Sequence, residues 1–265
     1  TNIAITADSK PWWTGIGEET PSGLTDWQGR QWHENIGPVS HPNARVTLRA
    51  KNCENISLLM DYPYGVPISG IILGGRRSDT MPLALEARDW RHGVFLGASM
   101  MSETTAATTG KVGVLRHDPF AMMPFCGYNM ADYFAHWLAM GERLKNPPVI
   151  FHVNWFLKSL NNQFLWRGYG ENIRVLDWMI RRIRKEIGAH ETACGLMPYP
   201  NDALYDGDRD QRIIHALRKT DRELWKVQLA RIRVFFEKFG DRMPQSLWQE
   251  LENLERALRR TTVYF

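Results

Sequence analysis

Cysteine is scarce: Cys53, Cys126 and Cys194 are the full set, odd in number, far apart and without a CxxC pair. That excludes a disulfide framework and a cysteine-built zinc site, and points to a reducing, cytoplasmic compartment. No apolar run approaches the roughly eighteen residues a membrane span needs, and no signal-peptide pattern stands at the start. Blocks of one charge sign are missing too. The formal charge of +4 suits phosphate-bearing ligands, yet the basic residues mix with acids, as in Arg181-Arg182-Ile183-Arg184-Lys185-Glu186. That run describes a solvated helix face, not a nucleic-acid stripe. A P-loop is absent as well. Gly110-Lys111 imitates one, but Thr105 stands where the first Gly is needed, and Val112 follows in place of Ser or Thr. The eight His are scattered, no His/Asp/Glu trio has metal-ligand spacing, and there is no internal repeat.

What the chain does have is core-building material. Of its 265 residues 43% are hydrophobic and 23% charged, which suits a globular protein. The eleven Trp bury large areas and can also serve as stacking platforms for bases or sugars, core packing being the commoner use. The chain opens Thr1-Asn2-Ile3-Ala4-Ile5-Thr6 without a Met; this reads as a strand entered in mid-protein and sets up the expectation of a fragment. Turn clusters separate strands expected at 2–6, 44–50, 68–73 and 82–87, with long irregular loops over 12–42.

Helices are expected from Trp90 to Met101, over Met130–Met140 capped by Asn129, and over 172–187 with a stripe of Leu176, Met179, Ile180, Ile183 and Ile187. A strand is expected over 149–155. Thr220 and Glu223 suggest a capping box for a helix carrying Trp225, Leu229, Ile232, Phe236 and Phe239, stopped by Gly240. Pro244 opens a final helix with Leu247, Leu251, Leu254 and Leu258 at matching spacing. The fold class expected is α/β, a mixed sheet with C-terminal helices.

Four segments place unusual chemistry in turns. His41-Pro42-Asn43-Ala44-Arg45 offers a planar fork beside an amide, suited to a carboxylate or phosphate; taken alone, the segment is better explained by a surface arginine starting a strand. Gly74-Gly75-Arg76-Arg77 follows an apolar strand, where glycines permit close backbone approach and arginines meet polyphosphate; a tight turn with solvated arginines is the alternative. The small residues from Ser102 through Glu103, Thr104 and Thr105 to Gly110 suit a mobile lid. Trp155, Phe156, Phe164 and Tyr169 could sandwich a flat base whose edge Asn172 reads, or they could be core rings beside a helix N-cap.

In this order the segments resemble one family. Gly65-Val66-Pro67-Ile68, Gly74-Gly75-Arg76-Arg77, His117-Asp118-Pro119-Phe120-Ala121-Met122, Gly127-Tyr128-Asn129, the run 151–156 and Gly168-Tyr169-Gly170-Glu171-Asn172 look like GTP-dependent phosphoenolpyruvate (PEP) carboxykinase of the bacterial type, from Thr1 almost to Phe265. The resemblance implies a lyase of gluconeogenesis that converts oxaloacetate and GTP to PEP, GDP and CO2 with manganese. It implies that Asn43 and Arg45 touch oxaloacetate or PEP and that Arg76 meets the nucleotide phosphates, Arg45 and Arg76 being the catalytic pair. Ser102, Glu103, Thr104, Thr105 and Gly110 would belong to the lid. Trp155, Phe156, Phe164 and Tyr169 would form the guanine cage, and Asn172 would read the base.

Three departures stand out. Tyr169 replaces the Phe usual in animal members, Met101 stands where those have Arg, and the lid is shorter. The family's P-loop and its metal-holding Lys, His and Asp would lie upstream of Thr1. The resemblance thus implies that residues 1–265 are the C-terminal portion of the nucleotide-binding domain: a β-rich part (1–88), a lid and guanine-cage part (89–171) and a helical part (172–265). Such a chain would be inactive alone, would need the missing N-terminal half as partner, and could self-associate through the surface that half would cover. No metal ligand, nucleic acid or membrane is expected. A stand-alone, non-catalytic nucleotide-binding or interaction protein derived from the same family is the alternative, and a Trp-rich saccharide-binding module a more distant one.

Overall fold

The computed structural model describes residues 1–260 apart from 15, 17, 18, 48, 106–110 and 207–209, and Tyr169 by its backbone alone. Its contacts divide the chain into two units, residues 1–67 with 104–113, and residues 68–103 with 114–265.

The first unit is mostly turns. Strands β1 (Ala4–Ile5) and β2 (Pro11–Trp12) pair antiparallel, and Thr25 bridges to Ile5 and Gln31. A small core of Ala4, Trp12, Leu24 and Val39 closes on them. Asp26 organises the adjoining turn, its buried carboxylate accepting from Gln28 N, Arg30 N and Arg30 Nε. The strand expected over 44–50 does not form among the described residues. Val46, Thr47 and Arg49 are exposed and no strand pairs with them, so nothing offsets the cost of ordering an extended segment.

The second unit holds a five-stranded mixed sheet. Its strands are β3 (Gly70–Gly74), β4 (Ala84–Glu86), β7 (Val149–Val153), β8 (His190–Thr192) and β9 (Gly195–Met197), in the order β3-β7-β4-β9-β8. Only β3 and β7 run parallel. A separate hairpin joins β5 (Met101–Glu103) to β6 (Leu115–His117). The expected strands were a residue or two too long, or set slightly early, but they are these strands.

Side chains alternate across the sheet, and each face has its own core. Ile71, Leu73, Leu85 and Ile150 face one cluster, built with helices α1 (Trp90–Ala98), α2 (Met130–Arg143), α5 (Arg222–Glu237) and α6 (Gln245–Arg260). Ala84, Phe151 and Val153 face the other, built with α3 (Asn172–Ile183) and α4 (Gln211–Arg218). The sheet is therefore covered on both faces, with strands from both halves of the chain.

Local signals explain the helix starts. Asn129 Oδ1 accepts from Ala131 N at 2.9 Å, as the sequence suggests. At α5 the cap is Asp221, one residue later than expected, its carboxylate accepting from Glu223 N and Leu224 N. Trp90–Ala98 ends three residues early because Met101 enters β5. The expected stripe on α3 is rotated: Val175, Trp178 and Met179 are buried, while Ile173, Leu176 and Ile180 are exposed. On the opposite end of that helix's buried side, Glu86 of β4 takes a two-pronged ion pair from Arg182, at 2.6 and 3.0 Å.

Candidate functional site

Register places the site. Because β3 and β7 are parallel and Gly74 pairs with Val153, the segments leaving both strands emerge at the same end of the sheet. That end is where parallel sheets present loops to ligands. The β3 loop carries Arg76 and Arg77; the β7 loop carries Asn154, Trp155 and Phe156.

The two loops are locked together by Asn154, which is fully buried. Its Oδ1 accepts from Arg77 N at 3.3 Å and Phe156 N at 3.2 Å, and its Nδ2 donates to Met81 O at 2.9 Å. One amide thereby satisfies three backbone groups, two of them, Arg77 N and Met81 O, in buried bonds. Sequence reasoning did not single it out. The available signal was a polar residue closing an apolar strand without a turn partner.

Gly74 and Gly75 are required by the chain itself. A Cβ on Gly74 would meet Val153 Cγ2 at 3.0 Å, and one on Gly75 would meet the Met101 carbonyl at 2.9 Å. The glycines answer a strand-on-strand approach. The two arginines then diverge. Arg77 is buried, paired with Asp79 at 2.9 Å, so the alternative of two solvated arginines fails for it. Arg76 is half-buried, with its guanidinium carbon 4.0 Å from the centre of the Phe156 ring. A cation over an aromatic face is attracted by the ring quadrupole, so Arg76 covers one stacking face of Phe156.

Beyond Phe156 a short turn folds back, with Lys158 bridging to Phe164 and Leu165 N donating to Leu157 O. It sets Phe164 edge-on to Phe156, centroids 6.1 Å apart at 67°, with Phe164 largely exposed. Lys158 Nζ lies 5.2 Å from the Phe164 ring centre. Trp155 is half-buried against the α3 side of the core. The Tyr169 side chain lies outside the described residues, so the ring facing expected of it has no geometry to report.

Asn172 is the first residue of α3 and not its cap, contrary to the capping alternative. Its Oδ1 accepts from the indole N–H of buried Trp166 at 2.8 Å. An indole nitrogen can only donate, which decides the amide's orientation: oxygen toward Trp166, NH2 away from it. Asn172 is half-buried, and its NH2 makes no hydrogen bond among the described residues.

The first two lid residues are not loop. Ser102 and Glu103 lie in β5, where Ser102 Oγ accepts from Arg76 N at 3.0 Å and Glu103 N donates to Arg76 O at 2.8 Å. Glu103 Oε1 also accepts from Ser78 N and Oγ. They brace the arginine loop. Thr104 closes a stem instead, its hydroxyl donating to Lys111 O and its carbonyl accepting from Gly113 N. Thr105 follows it, and Gly110 lies outside the described residues. In the first unit Asn43 and Arg45 do come together: Arg45 Nε donates to Asn43 Oδ1 at 3.2 Å, with Arg45 exposed and Asn43 half-buried.

The electrostatics around the loops are quiet. Burial, aided by the charge of Arg77, lowers the pKa of His152 to about 4, so this histidine on β7 is neutral at pH 7. Burial pushes the Cys194 thiol up to about 12 and leaves it unreactive. Among the described residues no three His, Cys, Asp or Glu side chains come together to hold a metal ion. The manganese implied by the resemblance finds no fitting ligand set among these described residues. No described helix is long and apolar enough to cross a membrane.

Comparison with known proteins agrees with the motifs. The family described as "Phosphoenolpyruvate carboxykinase C-terminal P-loop domain" matches residues 1–257. Phosphoenolpyruvate carboxykinase [GTP] of Anaeromyxobacter sp. strain K is 48% identical over 263 residues, and that of Chlamydia trachomatis 45% over 261. In each case the match takes in 98% of this chain and 44% of the relative, so the chain spans less than half the length of these relatives. The mixed α/β sheet, the paired loops at its end and the match over nearly every residue lead to one assignment: the chain belongs to the GTP-dependent phosphoenolpyruvate carboxykinase family.

Proposed function

We propose that this chain supplies the guanine-nucleotide and lid portion of a GTP-dependent PEP carboxykinase, a carboxy-lyase interconverting oxaloacetate and GTP with PEP, GDP and CO2. The reading assigns residues 1–265 to the C-terminal portion of the nucleotide-binding domain, with the three parts bounded at 88 and 171, in a cytoplasmic enzyme. The observation that carries it is the Asn172 amide, whose oxygen is held by the Trp166 indole, which leaves its NH2 as the group available to a ligand. Guanine offers an acceptor, O6, where adenine offers an amino group, so an available NH2 favours guanine.

The remaining roles follow from chemistry. Phe156 and Phe164 provide ring faces for the base, with Tyr169 and Trp155 completing the cage. Arg76 leaves the face of Phe156 as the base arrives and meets the phosphates, its backbone held by Ser102 and Glu103. Asn43 and Arg45 form a fork for the carboxylates of oxaloacetate or PEP. Thr104, Thr105 and Gly110 belong to the lid that excludes water. The manganese and the P-loop are assigned to polypeptide outside this chain, and no step is routed through them.

Surface chemistry supports a covering partner. Ile72 on edge strand β3 is exposed, as are Ile173, Leu176 and Ile180 of α3. An open edge beside apolar side chains invites association, and the occupant proposed is the part of the relatives outside the match; a second copy would take its place in isolation. The test is direct. Purified chain with GTP, manganese and oxaloacetate should form no PEP, and adding the N-terminal half of a relative should restore turnover. Turnover by the chain alone, or no guanine binding in the reconstituted protein, overturns the assignment.

A further inference from the structure

Behind the arginine loop, inside the second unit, lies a cavity of about 30 Å3 lined in part by Arg77, His152, Cys194, Trp225 and Gln228. Four of these residues carry a polar atom without a partner: Arg77 Nε, His152 Nδ1, Trp225 Nε1 and Gln228 Oε1. All four residues are more than nine-tenths buried, at 3 to 4% exposure. They come from three separate places, the β3 loop, β7 and the inner face of α5. Buried polar groups are rarely left unpaired, because each forfeits its bond to water without replacement. Four around one cavity indicate a ligand.

Volume and chemistry narrow what it is. A water needs roughly 10–15 Å3 of such volume and two to four polar partners, so this cavity has room for two. Arg77 Nε–H and Trp225 Nε1–H only donate, Gln228 Oε1 only accepts, and a neutral imidazole Nδ1 can accept. Two waters match the set: one accepts from Arg77 and donates to His152, the other accepts from Trp225 and donates to Gln228, and one further bond joins them. An anion fits poorly, since Asp79 already balances Arg77 at 2.9 Å and His152 is uncharged. An apolar occupant would leave all four groups unsatisfied.

We propose that this cavity is a built hydration site whose two linked waters tie the arginine loop and strand β7 to helix α5. The inference is independent of the nucleotide reading. A crystal structure of the full chain at high resolution should show two peaks within hydrogen-bond distance of Arg77 Nε, His152 Nδ1, Trp225 Nε1 and Gln228 Oε1. Xenon pressurisation should leave the site unlabelled, and a bromide soak should give no anomalous peak there. In solution, oxygen-17 relaxation dispersion should count fewer long-lived waters in Gln228→Met than in the native chain. Xenon occupancy, a bromide peak, or the four groups bonding one another directly would each overturn the proposal. The crystal measurements use the native chain, so they decide the question even where the variant fails to fold.

Discussion

Replacing Trp166 with Phe removes one hydrogen-bond donor and keeps most of the buried ring. In the native chain the indole N–H holds the Asn172 amide oxygen at 2.8 Å. A neutral bond of this kind is worth about 1–1.5 kcal/mol net, and 1.4 kcal/mol is a factor of ten between two states. The amide thus keeps its oxygen on the indole and its NH2 turned away from it roughly nine times in ten. Without the indole N–H the two orientations approach equal population. The guanine-competent fraction then falls about twofold, while the flipped fraction, which offers Oδ1 to the adenine amino group, rises about fivefold. The preference for guanine over adenine should fall about tenfold. Ligand-detected NMR titrations with GDP and ADP can read it, either on the isolated chain, where affinity on the order of millimolar amounts to only about 4 kcal/mol, or on the reconstituted protein. Loss of packing should cost less than the roughly 3–5 kcal/mol of a Trp→Ala change, and it weakens both nucleotides together without moving their ratio. A ratio unchanged within twofold in Trp166→Phe, alongside loss of the preference in Asn172→Ala, would refute the orienting role while leaving the base-reading role intact.

Asn154→Ala should destabilise the chain by upwards of about 3 kcal/mol, because Arg77 N, Phe156 N and Met81 O lose a partner at roughly 1–3 kcal/mol each; a urea midpoint near the native value would contradict this. Arg182→Met leaves the Glu86 carboxylate buried and unpaired at a cost of roughly 3–5 kcal/mol. Adding Glu86→Gln should recover much of that loss, and a double variant no more stable than the single would count against the ion pair. Burial lowers the pKa of His92, His117 and His152 to about 4, with Arg88, Lys238 and Arg77 respectively adding to the effect. The unfolded chain takes up these protons near pH 6.5, so between pH 6.5 and 4 it binds more protons than the folded chain and stability rises with pH. Thermal midpoints should fall steadily from pH 6.5 to 4.5; a flat profile would show that these histidines charge without unfolding.

Much of this was legible before any fold was known, and the division is physical. Asn129 capping α2 and the Leu247-Leu251-Leu254-Leu258 stripe of α6 depend on residues two to four apart, so sequence spacing alone reveals them. The arginine loop, the aromatic run and Asn172 were legible for another reason: each is a short contiguous motif that carries its family resemblance in order. The face α3 buries was not legible. Ile173, Leu176 and Ile180 are as apolar as Val175 and Met179, and only the placement of β7 and α4 decided which row turned inward. Nor was the missing strand at 44–50, since a strand exists only where another pairs with it. Asn154 and Trp166 show the same limit at the candidate site. Asn154 acts on Arg77 and Met81, more than seventy residues away in sequence, and Trp166 matters because a buried donor-only nitrogen meets one amide oxygen. The sequence by itself determined the family, the presence of the main helices and the segments proposed as ligand-facing; the tertiary structure decided which face packs, where the helices stop, which arginine is buried and which atom of the amide meets the indole, because burial and hydrogen-bond partnership are settled by distant neighbours.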